Sequence, residues 1–391
     1  MAKHIEASVD PKLLIWARES AGLTRDRAAK SAGVKPERLL VWEKGERLPT
    51  INQLRSLAGA YKRPLAVFYL PEPPKDFRPL HDFRRLPGEP PRVLSPELRL
   101  EVRRARRRRR IALGLYEQME AKPPEFLAKA SLSDDPEEVG GRVRDLLGVT
   151  VEDQWRLRTA YQALGLWRSA FERAGVLVFH AVDVELSEMR GFSISETPLP
   201  VVVVNIKDSV LGRVFSMLHD LIHTMLHQGG LCDLGEPDGG TRGQNVEVFC
   251  NAVAGAALVP KAVLLREGIV LAKRAGTPWS DDEISSLAER YRSSREVVLR
   301  RLLALGKVTR SFYEQKKDHF DREYRERRAR RSAGYRSPRG AAISSAGMLF
   351  TRLVLNSFHE GNITASDVSD FLNVKLRHVG WIERRVMGGA V

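Results

Sequence analysis

At 391 residues the chain has room for roughly two to four domains, and a hydrophobic content of 43% excludes wholesale disorder. The formal net charge of +15 and a pI near 10.0 point to an acidic partner, nucleic acid first. The two cysteines, Cys232 and Cys250, lack a Cys-x-x-Cys spacing. That excludes a disulfide framework and suits the cytoplasm, and with no apolar run near the ~20 residues of a bilayer span and no signal-peptide core, no membrane partner is expected.

Residues 8–72 read as an all-α unit. Pro11 to Ala21 is amphipathic and stops at Gly22; Thr24 is a good N-cap for Arg25 to Ala32, which stops at Gly33. Lys35-Pro36-Glu37 opens a third helix, and Pro49-Thr50 precedes a fourth. Gly22-Leu23-Thr24, Ala28-Ala29, Gly33-Val34, VWEKGERLPT at 41–50 and QLRSLA at 53–58 resemble the Xre/Cro-type helix-turn-helix family. That resemblance implies DNA binding, with Lys35, Arg38 and Val41 presented by the recognition helix and Trp42 in the core. Arg38 has the geometry to pair with guanine, and Lys35 that to contact phosphate or base.

Residues 73–135 hold a proline-rich connector, with Phe77, His81 and Phe83 retained for packing, and an arginine-rich helix. Ser95-Pro96-Glu97 starts that helix, and eight arginines follow between Arg99 and Arg110. Two uses are open: a phosphate-binding arm, or an exposed helix paired with acidic residues elsewhere in the chain.

Residues 136–275 combine helices with two predicted strands, GVLVFHA and the valine run near 199–206. Next comes His219-Asp220-Leu221-Ile222-His223. Two histidines four residues apart share one helical face and can hold one zinc ion, with the carboxylate of Asp220 beside its open position. The flanking residues are apolar, as a core helix requires, and Gly229-Gly230 is the expected helix end. His227 continues the ladder, but at ~1.5 Å rise per residue it lies ~12 Å from His219, too far to share the ion; it is expected in the core or behind the ligands. Glu247 falls in the first turn of the next predicted helix.

HDLIH at 219–223, EVFCNAVA at 247–254 and LVP at 258–260 resemble the ImmA/IrrE-type zinc metallopeptidases. The resemblance implies Zn2+ held by His219, His223 and Glu247, in an endopeptidase that cleaves a DNA-binding repressor or antitoxin-like protein under stress or during mobile-element induction. Asp220 stands where that family has its catalytic glutamate. Its oxygens sit back by roughly 1.3 Å, and ~1 Å can cost on the order of 10²-fold in rate. Three readings are open: a slowed peptidase, a peptidase whose helix has shifted to compensate, or an impaired pseudo-peptidase acting as a DNA-binding transcriptional regulator.

Residues 276–330 show a second helix-turn-helix silhouette in which Arg295, Arg300 and Arg301 are expected to be exposed. After a Gly/Ser/Pro-rich break, 335–391 read as a final helical unit, similar in order to the tail of long members of the same peptidase family. The fold class expected is multidomain and mainly α, with a small α+β zincin-like metallopeptidase domain, an all-α helix-turn-helix domain before it and helical units after it.

Overall fold

The computed structural model describes residues 5–74, 81–82, 94–227, 230–232, 242–274, 277–330 and 343–388. Phe77, Phe83 and Gly229 lie outside these residues. The chain divides into two compact units, one of 1–79 with 88–104 and one of 80–87 with 105–391.

In the first unit, helix ends follow the capping chemistry. Asp10 caps α1 (Pro11–Ser20), Thr24 caps α2 (Arg25–Ala32), and Thr50 with Gln53 forms a capping box on α4 (Ile51–Tyr61). Gly33, at φ +69°, ends α2 in the left-handed conformation and turns the chain into α3 (Pro36–Glu43). Leu14, Ala28, Ala29, Leu39, Leu54 and Phe68 close a common core. Glu43, buried on α3, takes a 2.6 Å hydrogen bond from Arg18 and one of 3.1 Å from Arg25, which locks α1 and α2 to α3. The first part of α5 (Pro96–Gln118) also belongs to this unit. There Arg99 donates to the Glu19 carbonyl at the end of α1, and Arg103 to that of Tyr61 at the end of α4. Burial and the neighbouring Arg63, Arg104 and Arg99 charges push the Arg103 guanidinium down to about 10.

The second unit is built on a five-stranded sheet of order β1-β5-β3-β4-β2. Its strands are β1 (His81–Asp82), β2 (Leu177–Ala181), β3 (Gly191–Ile194), β4 (Val201–Asn205) and β5 (Gly230–Cys232). β2 and β4 run parallel, Leu177 opposite Val201, and β3 is antiparallel to both β4 and β5. All four valines of β4 are fully buried, which is why the run reads as continuously apolar rather than alternating. The helices that follow or flank the sheet are α6 (Pro136–Leu147), α7 (Val151–Trp155), α8 (Ala160–Arg173), α9 (Val210–Met225) and α10 (Arg242–Leu258). α9 packs on β3 and β4 and against α8 and α10. α6 comes unusually close to α10 at Gly140, where a Cβ would lie 2.8 Å from that of Ala256.

Two short helices, α11 (Lys261–Leu264) and α12 (Gly268–Leu271), lead to α13 (Asp281–Arg290), α14 (Arg295–Ala304) and α15 (Arg310–Arg330). Here the structure corrects the expectation of exposed arginines. Arg301 is only 4% exposed and donates to the Val259 carbonyl and to Glu137. Arg295 pairs with Glu323 and lies over the Phe320 ring, and Arg300 pairs with Glu296. Val298, Leu299 and Leu302 of α14 join the core that contains the sheet and α9. A helix pair that resembles a DNA reader in outline is therefore a wall of this core.

Finally α16 (Met348–His359) packs on α8 and β2, followed by α17 (Ala365–Leu372) and α18 (Val379–Met387). Buried Glu172 accepts from the Met348 and Leu349 amides, capping α16 where Gly347 has no side chain to do so. The arginines of the later part of α5 are largely occupied within this unit. Arg108 donates to the Ser345 carbonyl and stacks on Phe179, Arg107 pairs with Asp370, and Arg109 donates to the carbonyls of Glu196, Pro198 and Leu199. The arginine helix is thus mainly an internal donor strip, closer to the second of its two expected uses than to a phosphate-binding arm. Most of its acceptors are backbone carbonyls rather than acidic side chains.

Candidate metal centre

α9 is amphipathic only in the sense that its polar side chains are all gathered on one buried face. From Arg213 to Met225 every residue is buried. The i, i+4 spacing stacks His219 and His223 on that face, both 0% exposed, with their Nε2 atoms 3.1 Å apart. α10 supplies the third group: Glu247 Oε2 is 3.1 Å from His219 Nε2, and Oε1 is 3.1 Å from His223 Nε2.

Both Glu247 carboxylate oxygens are buried and make no hydrogen bond of acceptable geometry, although each lies 3.1 Å from a histidine Nε2. One ligand atom from each of the three residues lies within 4.8 Å of the others. A tetrahedral zinc ion with bonds of about 2.0–2.1 Å would hold its ligand atoms about 3.3–3.4 Å apart, close to what is found. Among the described residues, His219, His223 and Glu247 are the group of His, Cys, Asp or Glu side chains that could hold a metal ion. Two imidazoles and one carboxylate leave a fourth position open, the donor set of a hydrolytic site rather than of a closed structural one.

The electrostatics agree with a ligand set. Burial by itself would push the Glu247 carboxyl up, but His219 and His223 overcome it and hold the group down at about 2. Burial opposes a proton on His219, yet the Glu247 charge wins and raises its pKa; the Asp220 charge and the Asn251 side chain act in the same direction. With no metal between them, each group favours the charged form of the other. Cys250, one turn from Glu247, is pushed well above the ordinary thiol range by burial, so it packs as a neutral thiol.

Asp220 is 1% exposed and lies against β3 at Gly191. His227 does not enter the centre. α9 ends at Met225, before the Gly229-Gly230 pair, and His227 is exposed with φ +54°, which removes it from both the core and the region behind the ligands. In the first unit Lys35 and Arg38 are exposed on or beside α3, Val41 is half-buried and Trp42 is buried under the Arg38 guanidinium.

Residues 171–303 match the family model Peptidase M78, described as the IrrE N-terminal-like domain, and residues 14–68 match the helix-turn-helix model. The chain joins an IrrE-like peptidase domain to a helix-turn-helix domain. No curated protein and no solved structure matches the chain significantly. The IrrE-like match begins within α8 and ends within α14, and thus takes in four of the five strands, β2 to β5, with His219, His223, Glu247 and Arg301.

Several residues that shape the IrrE-like centre carry no local signal. The last carbonyls of α10 and the residue after it each receive a buried side-chain donor: Arg144 on Ala257, Gln154 on Leu258 and Arg301 on Val259. These donors cap the helix that carries Glu247. Asn251 was within the family-like run EVFCN, where its helical offset of four from Glu247 could have marked it as a neighbour of the ligands. Gly191 sits in a four-residue strand too short to show a pattern.

Proposed function

We propose that this protein is a zinc-dependent regulatory endopeptidase that cleaves a repressor-type or antitoxin-like partner protein, and that its helix-turn-helix domain binds DNA. It would act in the cytoplasm, in transcription regulation and stress response. Among the described residues no helix is long and apolar enough to cross a membrane. The observation that carries the reading is the convergence of His219, His223 and Glu247 on one point with Asp220 beside them on the same buried helix.

Zinc, when bound, supplies a Lewis acid that polarises the scissile carbonyl and acidifies water. The chain supplies the rest. His219, His223 and Glu247 would hold the ion, Glu247 contributing the negative charge that partly neutralises it. Asp220 is the base: it would accept a proton from water as the new C–O bond forms, then pass it to the amide nitrogen, so that the C–N bond breaks with the amine leaving neutral. Buried surroundings strengthen each of these charges relative to water.

The test uses zinc-loaded protein and the repressor-type proteins encoded beside it, with cleavage read on a gel. Wild type should cut, while His219→Ala and Asp220→Asn should lose at least about 100-fold in rate. A zinc-loaded wild type that binds such a repressor without cutting it would replace this reading with the second, a non-catalytic DNA-binding regulator, which the shortened carboxylate of Asp220 favours.

For the DNA-binding domain, exposed Arg38 and Lys35 should act differently. Arg38→Ala should weaken binding to a selected operator by about 1–3 kcal/mol and relax its sequence preference. Lys35→Ala should weaken operator and random DNA alike. Equal operator titrations for wild type and Arg38→Ala would remove Arg38 from base recognition.

A further inference from the structure

Gly191 lies inside the sheet, opposite Val204 of β4 on one side and Cys232 of β5 on the other. Its backbone does not call for glycine, since it is not among the residues of positive φ. A glycine within a strand weakens it and marks a place where something approaches closely. Here the approaching group is Asp220. A Cβ on Gly191 would lie 2.2 Å from Asp220 Oδ2, 3.3 Å from its Cγ, and 3.1 Å from the Val203 carbonyl oxygen. The first distance is far inside van der Waals contact. The volume that any other residue would fill is occupied by the carboxylate of the helix above.

We infer that Gly191 is a positioning residue for Asp220: the missing Cβ is the seat of the carboxylate, and the spacing of α9 over β3 is matched to aspartate rather than to glutamate. This rests on the reading of Asp220 as the base. A glutamate at 220 would push its carboxylate outward by roughly 1.3 Å, into the strand, unless the chain turned it elsewhere or the helix and strand separated. The shortened side chain is then not a decayed glutamate. The absent Cβ leaves room for its carboxylate against the strand, which corresponds to a compensated site. The three atoms nearest to the added Cβ belong to Asp220 and Val203 rather than to His219, His223 or Glu247, so the substitution at Gly191 acts on the carboxylate first.

The experiment is a double-mutant cycle on the full chain: wild type, Gly191→Ala, Asp220→Ala and the pair, with Asp220→Glu beside them. Thermal stability is read in chelator, zinc affinity by competition with a chromophoric chelator, and cleavage on the repressor substrate. Gly191→Ala should lower the chelated Tm by about 3–6 °C and kcat by roughly 10–100-fold, with zinc affinity within about twofold of wild type. In the Asp220→Ala background the same added methyl should shift Tm by less than about 1 °C, because the oxygen it would strike is gone. Asp220→Glu should lower Tm and fail to raise kcat. The Val203 carbonyl is present in both arms and cancels from the cycle. Equal losses of Tm in both backgrounds would overturn the proposal, assigning the glycine to Val203 instead. An Asp220→Glu variant of unchanged Tm and higher kcat would overturn the match to aspartate. Should Gly191→Ala not fold alone, recovery of folding in the pair with Asp220→Ala supports the seat, and failure of the pair as well overturns it. Coupling in Tm with no cleavage by wild type would remove the peptidase reading and leave the seat standing.

Discussion

Glu247→Gln should lower zinc affinity by at least about 100-fold while leaving the chain folded. Loss of a partner behind a metal ligand already costs 10–100-fold, and here a ligand and its charge are both removed. Glutamine is close in size to glutamate, so the packing of α10 is kept. The pH dependence gives a second check, and its sign follows from the two shifts. Glu247, held at about 2, is ionised throughout the working range and contributes no slope. His219, whose pKa is raised chiefly by Glu247 against the effect of burial, must lose its proton before it can bind metal. Affinity should therefore climb with pH, by up to about tenfold per unit, until the pH passes the raised value. Stability without metal runs the other way. The raised His219 pKa contributes stability that is complete below ~6.5 and lost as pH rises through the folded value. The lowered Glu247 pKa contributes stability present above ~4.3 and lost as pH falls towards 2. The chelated protein should gain most from this pair between roughly pH 4.5 and 6.5. Competition titrations across roughly pH 5–9 and thermal melts of the chelated protein across roughly pH 3–9 measure both. A pH-independent affinity, or wild-type affinity in Glu247→Gln, would contradict this ligand set.

Arg301→Met should cost about 3–5 kcal/mol and should loosen zinc binding without touching a ligand. Methionine replaces the apolar stem, so the loss is confined to the guanidinium. The Val259 carbonyl at the end of α10 then loses its donor, and Glu137, a first-turn residue of α6, loses its ion pair. The same helix end is held by Arg144 and Gln154, so α10 would be released at one of three points rather than freed. Chemical denaturation gives the stability change, and a chelator competition gives the metal readout. A loss below about 1 kcal/mol would mean that Arg301 behaves as a surface residue, as its sequence context suggests.

The helices of the first unit and the two histidines of the candidate centre were legible because their signals are local. N-caps, a Gly33 stop and a Pro36 start act within one turn of the residues that encode them. The i, i+4 geometry of His219 and His223 follows from the helix itself. Glu247 is a different case: spacing alone does not bring a residue 24 positions on to the same point, and it was the resemblance of EVFCNAVA to a family that implied its role.

The partners of the arginines were not legible, for the reverse reason. Arg301 lies in a charged amphipathic stretch, and Arg108 and Arg109 lie in a run of five consecutive arginines, 106–110. In sequence these look like solvated surface. In the fold each long side chain reaches backbone carbonyls from distant segments, at Val259, Ser345 and the turn between β3 and β4. A carbonyl left at a helix end or turn carries no side-chain signature, so no pattern announces that an arginine will be spent on it. The sequence by itself determined the helices, the valine strand and the histidine pair, through interactions spanning a few residues. Only the tertiary structure decided what Asp220 rests on, because the space beside Gly191 exists only once β3 and α9 have packed.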